Sequence, residues 1–376
     1  MKSLKEYTVY GKAFQNTGRV LSVDALRGFD MFWITGGATI ITALHGAVQS
    51  PFTKALSTQM DHVEWTGFHF FDIIMPLFLF LVGIAMPYSF SRRIQKGESK
   101  QHLLVHVFKR VLILWVLGML VQGKLLTYDF SQFAFFSNTL QAIAIGYLIS
   151  SFLILYVSAP GQIIATVMLL LLYWFISTFI SMGGQSAGIF RPESNIPIYI
   201  DKLILGNHQD GTTYSWILSS LNFGVTVMTG VFTAFILQNP SKGLKKALTL
   251  FLSGMGLIIA GLLFNFVHPL VKHIWTSSFV LFSSGICIAM LSFFYLIVDH
   301  WKFTRWTKFF IVIGSNSIFA YLLGELYSFK GFAEIFLKGT SYHLGCWYPF
   351  VLAIGAYAVF WFILYHLYKQ KIFIKI

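Results

Sequence analysis

The sequence has few charged residues. Lysine, arginine, aspartate and glutamate make up 11% of its 376 residues, against about a quarter in a typical soluble domain. Only two cysteines occur, Cys287 and Cys346, in or beside apolar segments, so neither a disulfide framework nor a metal site is expected. No tandem repeat is visible. With 56% hydrophobic residues and a mean hydropathy of +0.70, most of the surface is expected to face lipid.

The apolar residues form long runs. A transmembrane helix needs about 20 mostly apolar residues, and the runs predict an all-α fold: a polytopic transmembrane helix bundle of about ten spans, possibly eleven, as a single domain over 1–376. The predicted spans are 29–47, 70–90, 108–121, 136–157, 162–181, 214–237, 247–266, 276–298, 309–328 and 346–368.

The chain is also poor in acids, with 14 against 27 basic residues. Most basic residues lie in alternate loops, and this bias places both termini in the cytoplasm. Residues 1–28 are then a cytoplasmic segment without the apolar core of a signal peptide, and 182–213 form a long outer loop. Because the basic residues follow the insertion rule and face anionic lipid, no nucleic-acid partner is predicted.

Ionisable groups at the entry to the first span are the first candidate site. Asp24 and Arg27 are three residues apart and share a helix face, which an interfacial salt bridge would explain. Asp30 lies one turn deeper among aromatic residues, and a salt bridge does not explain it. Ionisable groups at membrane depth are usually functional.

A denser polar cluster precedes the second span. Asp61, His62, Glu64, His69 and Asp72 fall within twelve residues. A carboxylate beside a histidine can orient the ring for proton transfer, whereas the alternative is an ordinary polar loop at the interface. The two histidines are seven residues apart, which does not fit the usual zinc spacings.

Polar residues also occur in two later spans. Glu325 follows the Gly314–Ser317 stretch in the ninth span, and it is either functional or engaged in a hydrogen bond between helices. Asn265 and His268 indicate a helix end. From these residues alone, both chemistry across the bilayer and transport remain open.

Five motifs in order resemble the heparan-α-glucosaminide N-acetyltransferase family and its bacterial relatives, and the tail is similar as well. They are RVLSVDALRGFDMFW at 19–33, HVEWTG at 62–67 (continuing through Asp72 and Pro76 to Gly83), YIDKLILG at 199–206, WTSSFV at 275–280 and GSNSI at 314–318, with KIFIKI at 371–376.

The resemblance implies transfer of the acetyl group of cytosolic acetyl-CoA to an amino sugar or another glycan across the membrane. The family's catalytic histidine falls on His62, as general base or acetyl carrier. Asp72 is the favoured orienting acid, with Asp61 or Glu64 as alternatives, and Asn316 is expected to stabilise an oxyanion. Expected substrate contacts are Asp30, Trp65, Asp201 and Glu325. Expected CoA contacts are Asp24, Arg27, Arg110 and Arg305, with Lys109 beside them, and no metal is implied.

The sequence departs from the family pattern at two places. Ala142 follows Leu140-Gln141 where relatives often carry arginine, and Gly211–Tyr214 stands where many have Asp-Pro-Glu-Gly. Both changes bear on the acceptor. The alternatives are an amino-sugar permease, since transporters also use polar groups at mid-membrane depth, or a membrane scaffold. A bacterial inner-membrane location and a possible homodimer are further expectations.

Overall fold

The computed structural model describes residues 20–240 and 243–374. The predictions for 1–19, which include most of the cytoplasmic segment and Arg19 of the opening motif, and for the last two residues of the tail lie outside the described residues. Within the described part, every regular element is helical and only isolated β-bridges occur. The predicted all-α class is therefore confirmed.

Sixteen α-helices follow one another along the described chain. They are α1 Leu21–Phe32, α2 Ala38–Ala47, α3 Pro51–Gln59, α4 Ile74–Gln95, α5 Lys100–Val121, α6 Thr139–Tyr156, α7 Ala159–Phe179, α8 Ile196–Leu205, α9 Ser219–Gln238, α10 Leu244–Phe264, α11 Ser277–Phe294, α12 Thr307–Gly314, α13 Ser317–Leu326, α14 Lys330–Leu337, α15 Ser341–Leu344 and α16 Tyr348–Lys369. Short 3₁₀ or π turns connect or extend several of them.

Eight helical segments of the described chain are long and apolar enough to cross a membrane, or nine if the bent pair of α12 and α13 forms one span. Each predicted span overlaps a helix, but several bounds differ. The helix predicted at 108–121 begins at Lys100, because the Ser99 hydroxyl accepts a hydrogen bond from the His102 N–H and caps it. The long outer loop also contains a helix, α8, capped by Asn195.

Two predicted spans are broken. The segment predicted at 29–47 runs from α1 to α2 through a π turn in which Gly36 has a φ of 150°, a conformation that favours glycine. The segment predicted at 309–328 bends by 77° between α12 and α13. Broken helices in membranes expose backbone groups, and they are tolerated where protein or a polar cavity covers those groups.

The core of the bundle lies around α4 and α9. These helices pack against each other, and α6 and α11 pack beside them. By contrast, α5, α7 and α10 present many large apolar side chains outward, such as Phe108, Val167 and Leu252. This distribution places the latter helices at the lipid-facing rim.

Two glycines set the closest approach between α4 and α9. A Cβ on Gly83 would lie 1.9 Å from the Val227 carbonyl oxygen, and one on Gly230 would lie 2.0 Å from the Phe80 oxygen. Small residues allow such backbone contact in membrane bundles. Gly83→Ala should therefore destabilise the protein by about 1–3 kcal/mol, measured by unfolding in detergent micelles.

The matched control for this glycine is Gly256 in α10. A Cβ there meets no atom within 4 Å, so Gly256→Ala should be neutral or slightly stabilising because alanine favours a helix. Equal unfolding midpoints for the two variants would contradict the close packing of α4 on α9.

Candidate active site

The site is built on the loop between α3 and α4. Asp72 lies in the 3₁₀ turn Phe70–Ile73, just before α4, and its side chain is fully buried. Its carboxylate accepts hydrogen bonds from the backbone N–H groups of His69, at 2.9 Å, and Val63, at 3.3 Å. Asp72 thus folds the loop back over the start of α4, as a capping residue does.

The same carboxylate contacts two further polar side chains. Asp72 Oδ1 lies 2.8 Å from His62 Nδ1 and 3.2 Å from Lys272 Nζ. Lys272 belongs to the loop between α10 and α11, which the Thr66–Val271 bridge ties to the His62 loop. The His62 side chain is 42% exposed, whereas that of Lys272 is 4% exposed. A buried ion pair therefore supports an accessible imidazole.

The geometry at His62 Nδ1 allows two arrangements of the ring proton. Lys272 Nζ also lies 2.8 Å from this nitrogen, but Nδ1 can either donate to Asp72 or accept from Lys272, not both. Donation to Asp72 leaves the lone pair on Nε2, which is the form a general base needs. In that form, the Lys272 ammonium compensates the charge of Asp72 at the same carboxylate oxygen that His62 contacts.

Lys272 keeps its proton near neutral pH in this setting. Burial lowers the pKa of its ammonium group to about 8, although the neighbouring Asp72 carboxylate opposes the shift. Since a buried charge must be paired, the Asp72–Lys272 pair is a required part of the loop's structure rather than a surface salt bridge.

A cavity of about 450 Å³ opens beside His62. It combines amide, hydroxyl and carboxyl groups with aromatic faces, a lining that suits a polar, sugar-like molecule. The lining residues are Ile34, His62, Phe71, Ile74, Met75, Gln122, Ser137, Asn138, Thr139, Asp210, Thr212, Tyr214, Trp216, Lys272, Tyr321 and Glu325. Of the predicted substrate contacts, Glu325 is the one found here.

Asp201 and Trp65 each form hydrogen bonds to the backbone of another segment. Asp201 is buried and accepts hydrogen bonds from the N–H groups of Trp216, at 2.6 Å, and Ile217, at 2.9 Å. Burial raises the pKa of the Asp201 carboxyl to about 7, against the effect of these bonds. Trp65 Nε1 donates to the Phe190 carbonyl at 2.6 Å. Both lie outside the described lining, so their direct contact with a substrate stays a prediction.

Asn316 and Asp30 also lie away from the described lining. The Asn316 amide donates to the Ile372 carbonyl at 3.0 Å and accepts from the Ile374 N–H at 2.8 Å. It thereby anchors the tail at the break between α12 and α13, and its expected role in an oxyanion hole has no geometric support. Asp30 is fully buried on α1, with no hydrogen-bond partner among the described residues.

The basic residues expected to bind CoA do not form one cluster. Arg27 pairs with Asp24 at 3.7 Å on α1, and Arg305 is exposed in the loop before α12. Arg110 lies on α5 and lines a different cavity. A joint role of these residues in CoA binding is therefore not evident from their positions.

The alternative orienting acids are placed differently from Asp72. Asp61 and Glu64 are exposed, and neither is in the cavity lining that the structure describes. The Asp61 backbone carbonyl lies 3.0 Å from His69 Nδ1. Of the three candidate acids, Asp72 is the one in hydrogen-bond contact with His62 across the described chain.

One group of side chains could hold a metal ion, away from this site. Glu98, His102 and His106 place their ligand atoms within 4.8 Å of one another. Glu98 already pairs with Arg93 at 3.1 Å.

Sequence reasoning missed Lys272, Asp210 and the polar groups of Gln122 and Asn138. Lys272 lies 210 residues from His62 in the chain, and as a lysine in an outer loop it carried no local signal. Asp210 directly precedes the departure at Gly211–Tyr214 and lines the cavity together with Thr212 and Tyr214.

Comparison with protein-family models gives a match over 19–196 to the model described as heparan-alpha-glucosaminide N-acetyltransferase, catalytic. This match covers just under half of the chain and supports a heparan-alpha-glucosaminide N-acetyltransferase-like family. The matched region contains His62 and Asp72, whereas Lys272 and Glu325 lie beyond it. Together with the apolar helices, this match indicates a multi-pass membrane acetyltransferase.

A search of curated proteins gives no match to the chain.

Both departures from the expected family pattern can be placed in the fold. Ala142 is fully buried within α6, and Gly211–Tyr214 contributes Thr212 and Tyr214 to the cavity wall.

Proposed function

We propose that the chain transfers the acetyl group of acetyl-CoA to an amino sugar or another glycan, with His62 as the central catalytic residue. The observation that carries this proposal is the hydrogen bond between His62 and the buried Asp72–Lys272 pair, at the wall of a cavity with a saccharide-like lining. The membrane acetyltransferase family of 19–196 supplies the reaction class.

Direct transfer requires one proton acceptor. His62 Nε2 removes a proton from the attacking amine or hydroxyl while the new bond forms to the thioester carbonyl. The carbon–sulfur bond then breaks, and the imidazolium returns the proton to the leaving thiolate. Asp72 holds the ring so that Nδ1 carries a hydrogen throughout and Nε2 points to the reacting groups.

His62 can instead carry the acetyl group. Its Nε2 then attacks the thioester carbonyl, the carbon–sulfur bond breaks, and the thiolate leaves and takes a proton from solvent. In a second step the acceptor attacks the acetyl-imidazolium, the bond between the acetyl carbon and Nε2 breaks, and the freed Nε2 takes the acceptor's proton and releases it to solvent. This route would suit two substrates that approach the membrane from opposite sides. Both routes use the same neutral tautomer of His62.

A permease is the second candidate, because two broken helices border the cavity. Ile34 of the π turn and Glu325 of α13 both line it, and broken helices with polar groups are typical of transporters. A permease would take up the sugar unchanged and would have no need of acetyl-CoA.

The deciding experiment uses purified protein in liposomes, with radiolabelled acetyl-CoA on one side and glucosamine on the other. Acetylated sugar formed only with protein present is the expected result. The reverse placement of the two substrates tests the predicted orientation. Uptake of unmodified glucosamine, with no label transferred and no CoA bound, would reject the acetyltransferase in favour of the permease.

A further inference from the structure

A second polar cavity lies between α4, α5 and α6, at the opposite end of α4 from Asp72. Its volume is about 300 Å³, and it shares no lining residue with the His62 cavity in the described chain. It is lined by Ser89, Phe90, Arg93, Leu103, His106, Lys109, Arg110, Ile113 and Tyr147. Two of its residues, Lys109 and Arg110, are among the basic residues that the family resemblance links to CoA, so a soluble phosphate ligand here would rest on the proposed function, whereas the proton transfers at His62 use none of them.

The lining is strongly basic. Arg93, His106, Lys109 and Arg110 contribute to it, and no carboxylate is among the described lining residues. Glu98 lies at the rim, where it pairs with Arg93 at 3.1 Å and lies 3.9 Å from His106 Nε2. One acid thus faces several basic groups.

Lys109 and Arg110 interrupt a helix that is otherwise suited to lipid. They lie near the middle of α5, and the structure records no salt bridge for either one among the described residues. Charges within a membrane-spanning helix are costly unless they are paired. Lys109 is exposed, whereas Arg110 is partly buried at the cavity, so Arg110 is the charge for which an anionic partner matters most.

Arg110 is held in a form that suits phosphate. Its guanidinium lies over the Tyr147 ring, 4.5 Å from the centroid, and its Nε is buried with no hydrogen-bond partner in the described chain. Stacking on the aromatic ring fixes the plane of the guanidinium, whose N–H groups match phosphate oxygens in a bidentate contact.

We propose that this cavity binds a phosphate group, carried either by the headgroup of an anionic lipid or by a soluble phosphate compound. Arg93 and Arg110 contact the phosphate oxygens, and Lys109 adds charge. Val105, Phe108 and Leu112 are exposed on the same helix, so a lipid bound there would find an apolar surface for its acyl chains.

The test measures binding to the purified full chain in neutral detergent, with phosphatidylglycerol, phosphatidylcholine and inorganic pyrophosphate as probes. Arg110→Gln and Arg93→Gln should each weaken binding of the phosphate probe by about tenfold, because each removes a charge-assisted hydrogen bond. Arg110→Lys keeps the charge but not the bidentate contact, so its loss should be intermediate.

Arg92→Gln is the matched control, since Arg92 is exposed beside Arg93 and is outside the described lining. It should bind like the wild type. Binding of phosphatidylglycerol but not pyrophosphate identifies a lipid source, and the reverse identifies a soluble one. Equal weakening by Arg92→Gln and Arg110→Gln, or binding of neither anionic probe, would overturn the proposal.

Discussion

His62→Ala should lower the rate of acetyl transfer by roughly 10²–10⁴-fold, the usual contribution of a general acid–base group. The side chain is 42% exposed at the cavity wall, so its removal costs little packing and the fold should survive. The assay is label transfer from acetyl-CoA to glucosamine by wild type and variant at equal protein concentration. Added imidazole should restore part of the activity, because it can enter the space that the ring leaves.

The control for this variant is His69→Ala on the same loop. The His69 ring lies 3.0 Å from the Asp61 carbonyl and outside the described cavity lining. The backbone N–H of residue 69, which Asp72 binds, survives the substitution, so activity should stay near that of the wild type. A His62→Ala protein as active as the His69→Ala protein would remove His62 from the mechanism.

The helices were predictable because their signal is local. A run of about 20 apolar residues is sufficient to indicate a span, and segments such as 70–90 and 346–368 overlap α4 and α16 over most of their length. The breaks were not predicted, although Gly36-Gly37 is a visible signal in retrospect. Whether a glycine pair bends a helix depends on what packs against it, and a single sequence does not give that packing.

The site was predictable only within its own loop. His62 and Asp72 are ten residues apart, and their contact follows from the local chemistry of a histidine beside acids. Lys272 reaches them from a distant loop, so only the fold reveals it. Asn316 and Asp201 show the converse: both are polar and buried, but their polar atoms bind the backbone of neighbouring segments, as most buried polar groups do.

The second large effect is expected at the Asp72–Lys272 pair. Asp72→Asn and Lys272→Met should each destabilise the protein by about 3–5 kcal/mol, because each leaves a buried charge without its partner. The double variant replaces the pair by two neutral groups, so it should lose much less than the sum of the two single losses. The stabilities of the wild type and these three variants are measured by unfolding in mixed micelles, and a fifth protein, the variant Lys202→Met at an exposed position, is the control for charge removal.

The coupling between the two residues should also depend on pH. Because the pKa of Lys272 is lowered to about 8, the lysine carries its proton at neutral pH and loses it as the pH rises above that value. The attraction between Asp72 and Lys272 is then lost, and the coupling energy from the double-mutant cycle should fall. A coupling energy that is zero at neutral pH, or constant well above pH 8, would show that the pair does not stabilise the loop as an ion pair, and that His62 is oriented by Asp72 alone.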